Sequence, residues 1–197
     1  MNNLTDDNYK QSDQIITGRN DTRRNINRKL RELLNREGKL PVEGDKLIFL
    51  RNGSGIYRNW NGDWKRAFLV SGTQCIAASD TQTIKLKKQQ MGQTHRHRID
   101  VKYKGKLIEG LSFYDWHFLS HYEGCPERMP ENIIDLWQVD VEMDYAYAIT
   151  THKAQGSEWD SVLCDFRGIM ETKMAPQTTG LAYTGMTRAK ENCRVLI

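Results

Sequence analysis

The 197-residue sequence contains no long apolar run, and this absence excludes the helical membrane proteins. A transmembrane helix needs roughly 20 consecutive apolar residues, whereas hydrophobic residues make up only 38% of this chain and are scattered along it. The first ten residues also lack the basic start and apolar centre of a secretory signal. We therefore expect a cytoplasmic protein that has no membrane partner.

The cysteines are few and widely separated. Cys75, Cys125, Cys164 and Cys193 form no Cys-x-x-Cys pair, which argues against both a disulfide framework and a zinc ribbon. We predict that all four are small packing residues and that the chain holds no metal.

One metal-binding alternative remains open. His117, His121 and Cys125 have the spacing of one helix face, and His95 and His97 would add two more ligands. Against this alternative, the glycine and proline on either side of Cys125 break a helix there, and no fourth ligand is evident.

The sequence also lacks a phosphate-binding loop. It contains neither Gly-x-x-x-x-Gly-Lys-Ser/Thr nor the acidic motif that holds magnesium beside such a loop. The segment Gly53-Ser-Gly55 has no Lys-Ser/Thr after it, and its position between two apolar runs predicts a hairpin turn. ATP hydrolysis by this chain alone is therefore not expected.

Acidic residues are scarce in the middle of the chain, although the net charge is only +4. Between positions 85 and 106 the single acid is Asp100. The basic residues of this stretch are Lys85, Lys87, Lys88, Arg96, Arg98, Lys102, Lys104 and Lys106. Such a run is either a solvated loop face or a surface that neutralises phosphates.

Strand and helix patterns divide the chain into an α/β part and a β-rich part. An apolar run at 14–17 is followed by a helix predicted over 22–37, for which Asn20 or Asp21 is the expected cap. Short strands separated by glycine turns then favour a small antiparallel barrel. From position 140 a strand to 149, a helix near 153, a strand at 161–166, a helix at 178–190 and a last strand at 193–197 are predicted.

The predicted domains follow from this change of pattern. Residues 1–12 form a polar tail, 13–43 and 140–197 form one discontinuous α/β domain, and 44–139 form an inserted β-rich module.

Two segments of the α/β part join apolar residues directly to polar side chains and glycine. The first is Tyr147–Trp159 and the second is Gly180–Lys190, which places Arg188 in the middle of a predicted helix. Because ligands of open α/β sheets bind at the carboxyl ends of strands, the pair indicates a nucleotide and nucleic-acid site.

These segments carry a family resemblance. Thr150-x-His152-Lys153-x-Gln155-Gly156-x-Glu158 resembles motif V of superfamily 1 helicases, and Ala182-Tyr183-Thr-Gly-Met-Thr-Arg188-Ala189 resembles their motif VI. Gly18–Asn27 is similar to motif IV. The inserted module, opened by Gly44-Asp45, resembles the SH3-like 2B module of RecD-like and Dda-like helicases.

The resemblance implies an α/β fold, namely a RecA-like (P-loop NTPase-type) domain 2A interrupted by a small antiparallel SH3-like barrel. It implies the C-terminal half of an ATP-dependent DNA helicase, whose N-terminal domains would hold most of the ATP and Mg²⁺. Single-stranded DNA, ATP and those N-terminal domains are the expected partners.

The resemblance also assigns residues. Arg188 is the expected arginine finger on the γ-phosphate, and Arg19 is a second candidate. The residues expected to face the nucleotide are Gly156, Glu158, Gln155 and Tyr183, although core packing is the favoured role of Tyr183. The residues expected to contact DNA in motif V are Thr150, His152 and Lys153; a capped and satisfied strand end is the alternative for the first two.

In the inserted module, aromatic residues either stack on bases or fill the core. Trp60 and Trp64 lie among polar residues and are expected on the surface, whereas Phe68 is expected in the core. The surface pair, together with Lys85, Lys87 and Lys88, completes the predicted DNA-binding set. The alternative function is a non-catalytic nucleic-acid-binding or protein-docking module in which the basic stretch is the active surface.

Overall fold

The computed structural model describes residues 11–84, 95–122, 139–170 and 178–196. The chain forms two compact units: unit 1 contains residues 1–35 and 147–197, and unit 2 contains residues 36–146. The predicted division lay at 43/44 and 139/140 instead. Among the described residues, no helix has both the length and the apolar character needed to cross a membrane.

Unit 1 is built on a four-stranded sheet in which every strand pair is parallel. Its strands are β1 (Gln14–Thr17), β10 (Ala148–Thr150), β11 (Trp159–Asp165) and β12 (Ala189–Leu196), in the spatial order β10-β1-β11-β12. Its helices are α1 (Asn20–Leu33), α3 (Thr151–Ala154), α4 (Phe166–Met170) and α5 (Thr178–Met186). The predicted α/β order of this part is thus confirmed.

The two faces of this sheet bury separate apolar clusters. Ile15 and Leu163 pack with Ile26 and Leu30 of α1, whose apolar residues recur at helical spacing. The other cluster joins the sheet to α4 and α5, and its buried members are Cys164, Ile169, Leu181 and Ala182. Helices therefore cover both faces, as parallel sheets require.

Unit 2 is an antiparallel sheet wrapped around one core. Its strands are β2 (Lys46–Phe49), β3 (Gly53–Arg58), β4 (Trp64–Leu69), β5 (Gln74–Ala77), β6 (Gln82–Thr83), β7 (Arg96–Tyr103), β8 (Lys106–Tyr114) and β9 (Met143–Tyr145), with the short helix α2 (Trp116–Leu119). The strand order is β4-β3-β8-β7-β5-β2-β9, and β6 pairs with β7. The inward residues of most strands meet in a single hydrophobic cluster. An SH3-like identity for this sheet remains a prediction.

The glycines at the start of β3 correct one prediction. Gly53-Ser-Gly55 is part of a strand that pairs with β4, not a turn. A Cβ on Gly55 would overlap with Ile108 and would lie 2.8 Å from Leu111 Cδ2, while a Cβ on Gly53 would overlap with the Asp140 carbonyl. These glycines permit close packing against the core, whereas Gly62 and Gly72 occupy true turns with φ of 85° and 83°.

Three further boundaries differ from the prediction. Helix α1 begins at Asn20 and ends at Leu33, so its N-cap is Arg19, which makes no side-chain cap hydrogen bond. The Asp21 carboxylate lies inside the first turn and accepts the Thr22 N–H at 2.8 Å. The strand predicted over 140–149 is two strands: β9 pairs antiparallel with β2, and β10 pairs parallel with β1. The predicted strand is divided because its two halves pair with different strands, and no local sequence pattern shows those partners.

Candidate nucleotide and nucleic-acid site

The carboxyl ends of β1 and β10 lie side by side in unit 1. Thr17 is the register partner of Thr150, and the Thr151 hydroxyl donates to the Thr17 carbonyl oxygen at 3.4 Å. The Thr17 hydroxyl in turn donates to the Asp165 carboxylate at 3.1 Å. Thr17 and Thr151 are buried, so these contacts fix the strand ends from which Thr150 and His152 extend.

A side chain from α1 secures the edge strand of this site. Asn27 is fully buried, donates its amide to the Ala148 carbonyl at 3.1 Å and accepts the Ala148 N–H at 2.7 Å. One amide thus satisfies both outward backbone groups that an edge strand leaves without a ladder partner.

The polar residues of the motif V segment are presented outward by a single helical turn. Thr150 is extended (φ −77°, ψ 155°) and half-buried, and its side chain does not cap α3. The expected alternative of a capped strand end is therefore absent at Thr150. The exposed residues that follow are His152, Lys153, Gln155, Gly156 and Glu158.

Gly156 has space beside it as well as an unusual backbone conformation. Its φ is +80°, in the left-handed region, and a Cβ built on it would have no atom of the described chain within 4 Å. A ligand can therefore approach the backbone between Gln155 and Ser157 closely.

Arg188 lies beside this segment, at the junction of α5 and β12. Its Nε donates to the Thr184 carbonyl at 3.1 Å, Nη2 to the Thr187 hydroxyl at 3.2 Å and Nη1 to the Ser157 carbonyl at 3.5 Å. The Trp159 N–H donates to the Arg188 carbonyl at 2.9 Å. The structure thus brings the motif V and motif VI segments into contact.

The position of Arg188 corrects the predicted helix over 178–190. Helix α5 ends at Met186, and Ala189 is already the register partner of Trp159 in the sheet. Because β12 takes its backbone hydrogen bonds from β11, the helix cannot continue. Arg188 is held at this junction and is not part of the helix.

Arg19 lies at the other end of the sheet. It follows β1 near Asp165, whereas Arg188 lies near Trp159 at the start of β11. Seven residues of strand span about 20 Å. Arg19 makes an exposed ion pair with Asp21 at 2.8 Å, and the structure does not bring the two arginines together.

Tyr183 is 67% exposed, so the core packing expected for it is wrong. Its neighbours Leu181, Ala182 and Gly185 are buried, and Gly185 lets α5 approach Cys164 of the sheet. Tyr183 lies on the opposite side of the helix from this contact and is available to a ligand.

The aromatic residues of unit 2 follow strand alternation. Trp60 is 93% exposed and Trp64 48% exposed, which confirms the expected surface positions. Phe68 is 67% exposed, so its predicted core position is wrong. Ala67 and Leu69 point into the core instead. Alternation alone could not show this, because each side of the strand carries one cation and two apolar residues.

Two histidines of the metal-binding alternative, His117 and His121, are hydrogen-bonded to carboxylates. His121 Nε2 lies 2.6 Å from Asp144 and His117 Nε2 lies 3.3 Å from Glu142. No group of three metal-ligating side chains occurs within residues 11–84, 95–122, 139–170 and 178–196. Cys125 lies outside the described residues, as do Lys85, Lys87 and Lys88 of the basic stretch.

Sequence reasoning missed Thr17, Asn27 and Asp165. The available signal for Thr17 and Asp165 was weak: a polar residue at the end of an apolar run. Asn27 carried no local signal because its partner, Ala148, is 121 positions away.

Known helicases resemble this chain in its C-terminal region. The family model of the UvrD-like helicase C-terminal domain matches residues 145–196, which contain both the motif V and motif VI segments. An ATP-dependent RecD2 DNA helicase of Deinococcus radiodurans is 37% identical over 62 residues, equal to 30% of this chain and 8% of the relative. The resemblance to the C-terminal region of superfamily 1 helicases is thereby confirmed.

A solved structure also aligns with the chain. It is the crystal structure of the Pif1 helicase from Candida albicans, with a TM-score of 0.49 and 14% identity over 98% of this chain and 50% of that chain. The chain thus spans 8% of the length of the curated relative and half of the solved structure.

Proposed function

We propose that this chain, similar over residues 145–196 to the UvrD-like helicase C-terminal domain, is the C-terminal motor region of an ATP-dependent superfamily 1 DNA helicase. The observation that carries the proposal is the contact between Arg188 and the motif V segment at Ser157 and Trp159. This contact joins Arg188, the candidate phosphate-binding residue, to the motif V segment. That segment begins at Thr150, a candidate DNA-binding residue.

Arg188 is suited to act on the γ-phosphate. Phosphoryl transfer develops negative charge on the phosphate oxygens, and an arginine from a neighbouring domain stabilises that charge. The Nη1 contact to Ser157 is at the outer limit of a hydrogen bond at 3.5 Å. This nitrogen can therefore exchange the carbonyl for a phosphate oxygen at little cost. Arg19 is the second candidate for a triphosphate contact.

The nucleotide would lie against the exposed part of the motif V segment. Glu158 would accept a hydrogen bond from a ribose hydroxyl, and Gly156 would allow the nucleotide to approach the backbone. Gln155 and Tyr183 are further candidates. ATP and Mg²⁺ would be held mainly by the N-terminal helicase domains, since this sequence contains no phosphate-binding loop.

Single-stranded DNA would lie across the carboxyl edge, at Thr150, His152 and Lys153. A hydroxyl, an imidazole and an ammonium group can bind phosphate oxygens without reading bases, which suits a motor that moves along any sequence. The same segment runs from this edge to Glu158, so a change at the nucleotide can displace the DNA contacts.

The test is Arg188→Ala in the complete helicase. We expect DNA-stimulated ATP hydrolysis to fall by about 10³-fold or more, the contribution typical of an arginine finger, while DNA affinity is unchanged. Arg188→Lys should not restore turnover, because an ammonium group does not reproduce the planar fork.

The matched control is Lys190→Ala, which removes a neighbouring exposed cation whose partner Asp160 is 3.8 Å away. This control should keep its turnover. ATP hydrolysis by Arg188→Ala at the wild-type rate would refute the assignment.

A further inference from the structure

The outward side of the β3–β4 hairpin in unit 2 carries side chains that are not members of the core cluster. The strands pair with Arg58 opposite Trp64, Ile56 opposite Arg66 and Ser54 opposite Phe68. Alternation places these six residues on one side. We call them the hairpin face: Ser54, Ile56, Arg58, Trp64, Arg66 and Phe68.

The inward side holds the hairpin firmly in place. Gly53 and Gly55 leave no room for a side chain above Asp140 and Ile108, and Ala67 and Leu69 are buried in the core. The hairpin face is therefore supported from beneath by a packed layer.

The hairpin face combines exposed apolar groups with cations. Ile56 is 48% exposed, and Trp64 and Phe68 are exposed as well. The Arg58 guanidinium lies 4.4 Å from the Trp64 ring centroid, and Arg66 donates to the Ser54 hydroxyl at 3.0 Å. The nearest acid in the ladder is Glu109 of β8, opposite Ile56.

The spacing along β4 suits a chain of nucleotides. Alternate residues of a strand are about 7 Å apart, so Trp64, Arg66 and Phe68 form a ladder about 14 Å long with the cation in the centre. Stacked bases repeat every 3.4 Å. The ladder therefore covers about four stacked nucleotides, or fewer if the strand is extended.

The hairpin turn presents one more aromatic ring. The Asn59 side-chain oxygen accepts the backbone N–H groups of Asn61 at 3.1 Å and Asp63 at 2.8 Å, and the Asn59 N–H donates to the Asp63 carbonyl at 3.0 Å. This closed turn keeps Trp60 in solvent, 93% exposed. Because the turn is ordered and Trp60 is almost fully exposed, a ligand-binding role is favoured for Trp60.

We propose that the hairpin face binds single-stranded DNA, with bases stacked on Trp64 and Phe68 and a phosphate held by Arg66 between them. This inference rests on the proposed function for the presence of single-stranded DNA. Every base offers a ring face, so such stacking tolerates any sequence. A protein partner would need its own carboxylates, because burying Arg58 and Arg66 without counter-charges is costly, whereas DNA supplies phosphates along its length.

The first measurement is fluorescence anisotropy of a labelled oligothymidine about 15 nucleotides long, titrated with the whole chain. We expect Trp64→Ala and Phe68→Ala each to weaken binding about 10-fold, since one stacked base contributes about 1–3 kcal/mol. The matched control is Ile76→Ala, which removes a 37% exposed apolar side chain of β5 and should change affinity less than about twofold. Thermal unfolding verifies that each variant is folded.

The second measurement is the salt dependence of binding. Arg66→Ala should make the slope of log K against log salt less negative by about 0.7, the value for one phosphate contact on a single strand. Arg66→Lys should keep the wild-type slope.

The outcomes distinguish the hairpin face from the proposed function. Wild-type affinity in Trp64→Ala and Phe68→Ala, with loss in Thr150→Ala, would overturn the hairpin face and leave the motor proposal in place. No measurable oligothymidine binding by the wild-type chain would also overturn it, while the Arg188 test still decides the motor role. Changed self-association of these variants in sedimentation, with unchanged DNA affinity, would assign the face to protein contacts instead.

Discussion

Two buried histidines of unit 2 each contact a buried aspartate. His97 and Asp115 are both nearly fully buried with 3.2 Å between Nε2 and Oδ2, and His121 and Asp144 form a second buried pair. Burying an imidazole or a carboxylate costs free energy unless each finds a hydrogen-bond partner. In each pair the imidazole and the carboxylate therefore satisfy one another, and removal of one partner would be costly.

Glu142 is expected to make the stability of unit 2 depend on pH in the acidic range. The hydrogen bond from His117 holds the pKa of the Glu142 carboxyl below its ordinary value of 4.5, and the charges of His117 and Arg51 act in the same direction. The folded chain thus binds this proton less readily than the unfolded chain. The stabilisation is fully present above the ordinary pKa and is lost as the pH falls through the lowered one.

We therefore expect the free energy of unfolding to decrease as the pH falls below the ordinary value of 4.5, and to decrease less in Glu142→Gln, by about 1 kcal/mol at most for this partly exposed group. Urea unfolding at several pH values measures both. Glu191→Gln, on the exposed side of β12, is the control and should follow the wild type. Identical pH profiles for Glu142→Gln and the wild type would contradict the prediction.

At the scale of elements, the three-residue strand β10 depends on helix α1. On its inner side β10 pairs with β1, and on its outer side Asn27 occupies the hydrogen-bonding position that another strand would take. Helix α1 and strand β10 are thereby joined through one amide group. The orientation of Thr150, two residues along β10, depends on this contact.

We expect Asn27→Ala to reduce the free energy of unfolding by about 2–4 kcal/mol, because the N–H and C=O of Ala148 would both be buried without partners. Urea unfolding measures this loss, and faster hydrogen exchange of the Ala148 amide should accompany it. Asn25→Ala is the matched control, since Asn25 is an exposed asparagine of the same helix. Equal stability of the two variants would show that the amide does not support β10.

The sequence predicted those helices, strands and turns whose local residue pattern matches the structure they adopt. Helix α1, strands β1 and β11 and the turns at Gly62 and Gly72 follow from apolar spacing and glycine conformation. The start of β3 could not be predicted in this way, because glycine ordinarily favours a turn and only contact with Ile108 explains it in a strand.

The sequence predicted which residues belong to the candidate site, but it did not predict which of them are in contact. Motif resemblance identified Arg188 and the segment from Thr150 to Glu158, whereas the contact of Arg188 with Ser157 depends on the pairing of β11 with β12. That pairing joins segments about thirty positions apart. A sequence pattern records neither the partner strand nor its register.

At the scale of the whole molecule, unit 1 is assembled from distant parts of the chain. Strand β1 lies between β10 and β11, both of which come after the 111 residues of unit 2, positions 36–146. The N-terminal segment therefore gains its neighbours only when residues 147–165 are in place. Pairings of such long sequence separation make folding slow.

We expect the purified chain to hydrolyse ATP no faster than buffer, with or without single-stranded DNA. Unit 1 presents Arg188, but its sequence supplies no backbone loop to hold the phosphates and no acidic motif to hold Mg²⁺. Phosphate release over several hours tests this expectation, with an unrelated helicase of known turnover as the active control. DNA-stimulated turnover that persists through purification and is lost in Arg188→Ala would show that the chain is a motor by itself.

The two sides of strand β3 differ in the amino-acid substitutions that they can tolerate. Two of its inward positions, Gly53 and Gly55, accept no larger residue without displacing the core, whereas its outward positions Ser54, Ile56 and Arg58 are not members of the core cluster. Substitutions on the outward side can therefore alter which ligand the hairpin prefers with less disturbance of the core than substitutions at the glycines. Related proteins can diverge in surface chemistry at this hairpin while the glycine pair remains unchanged.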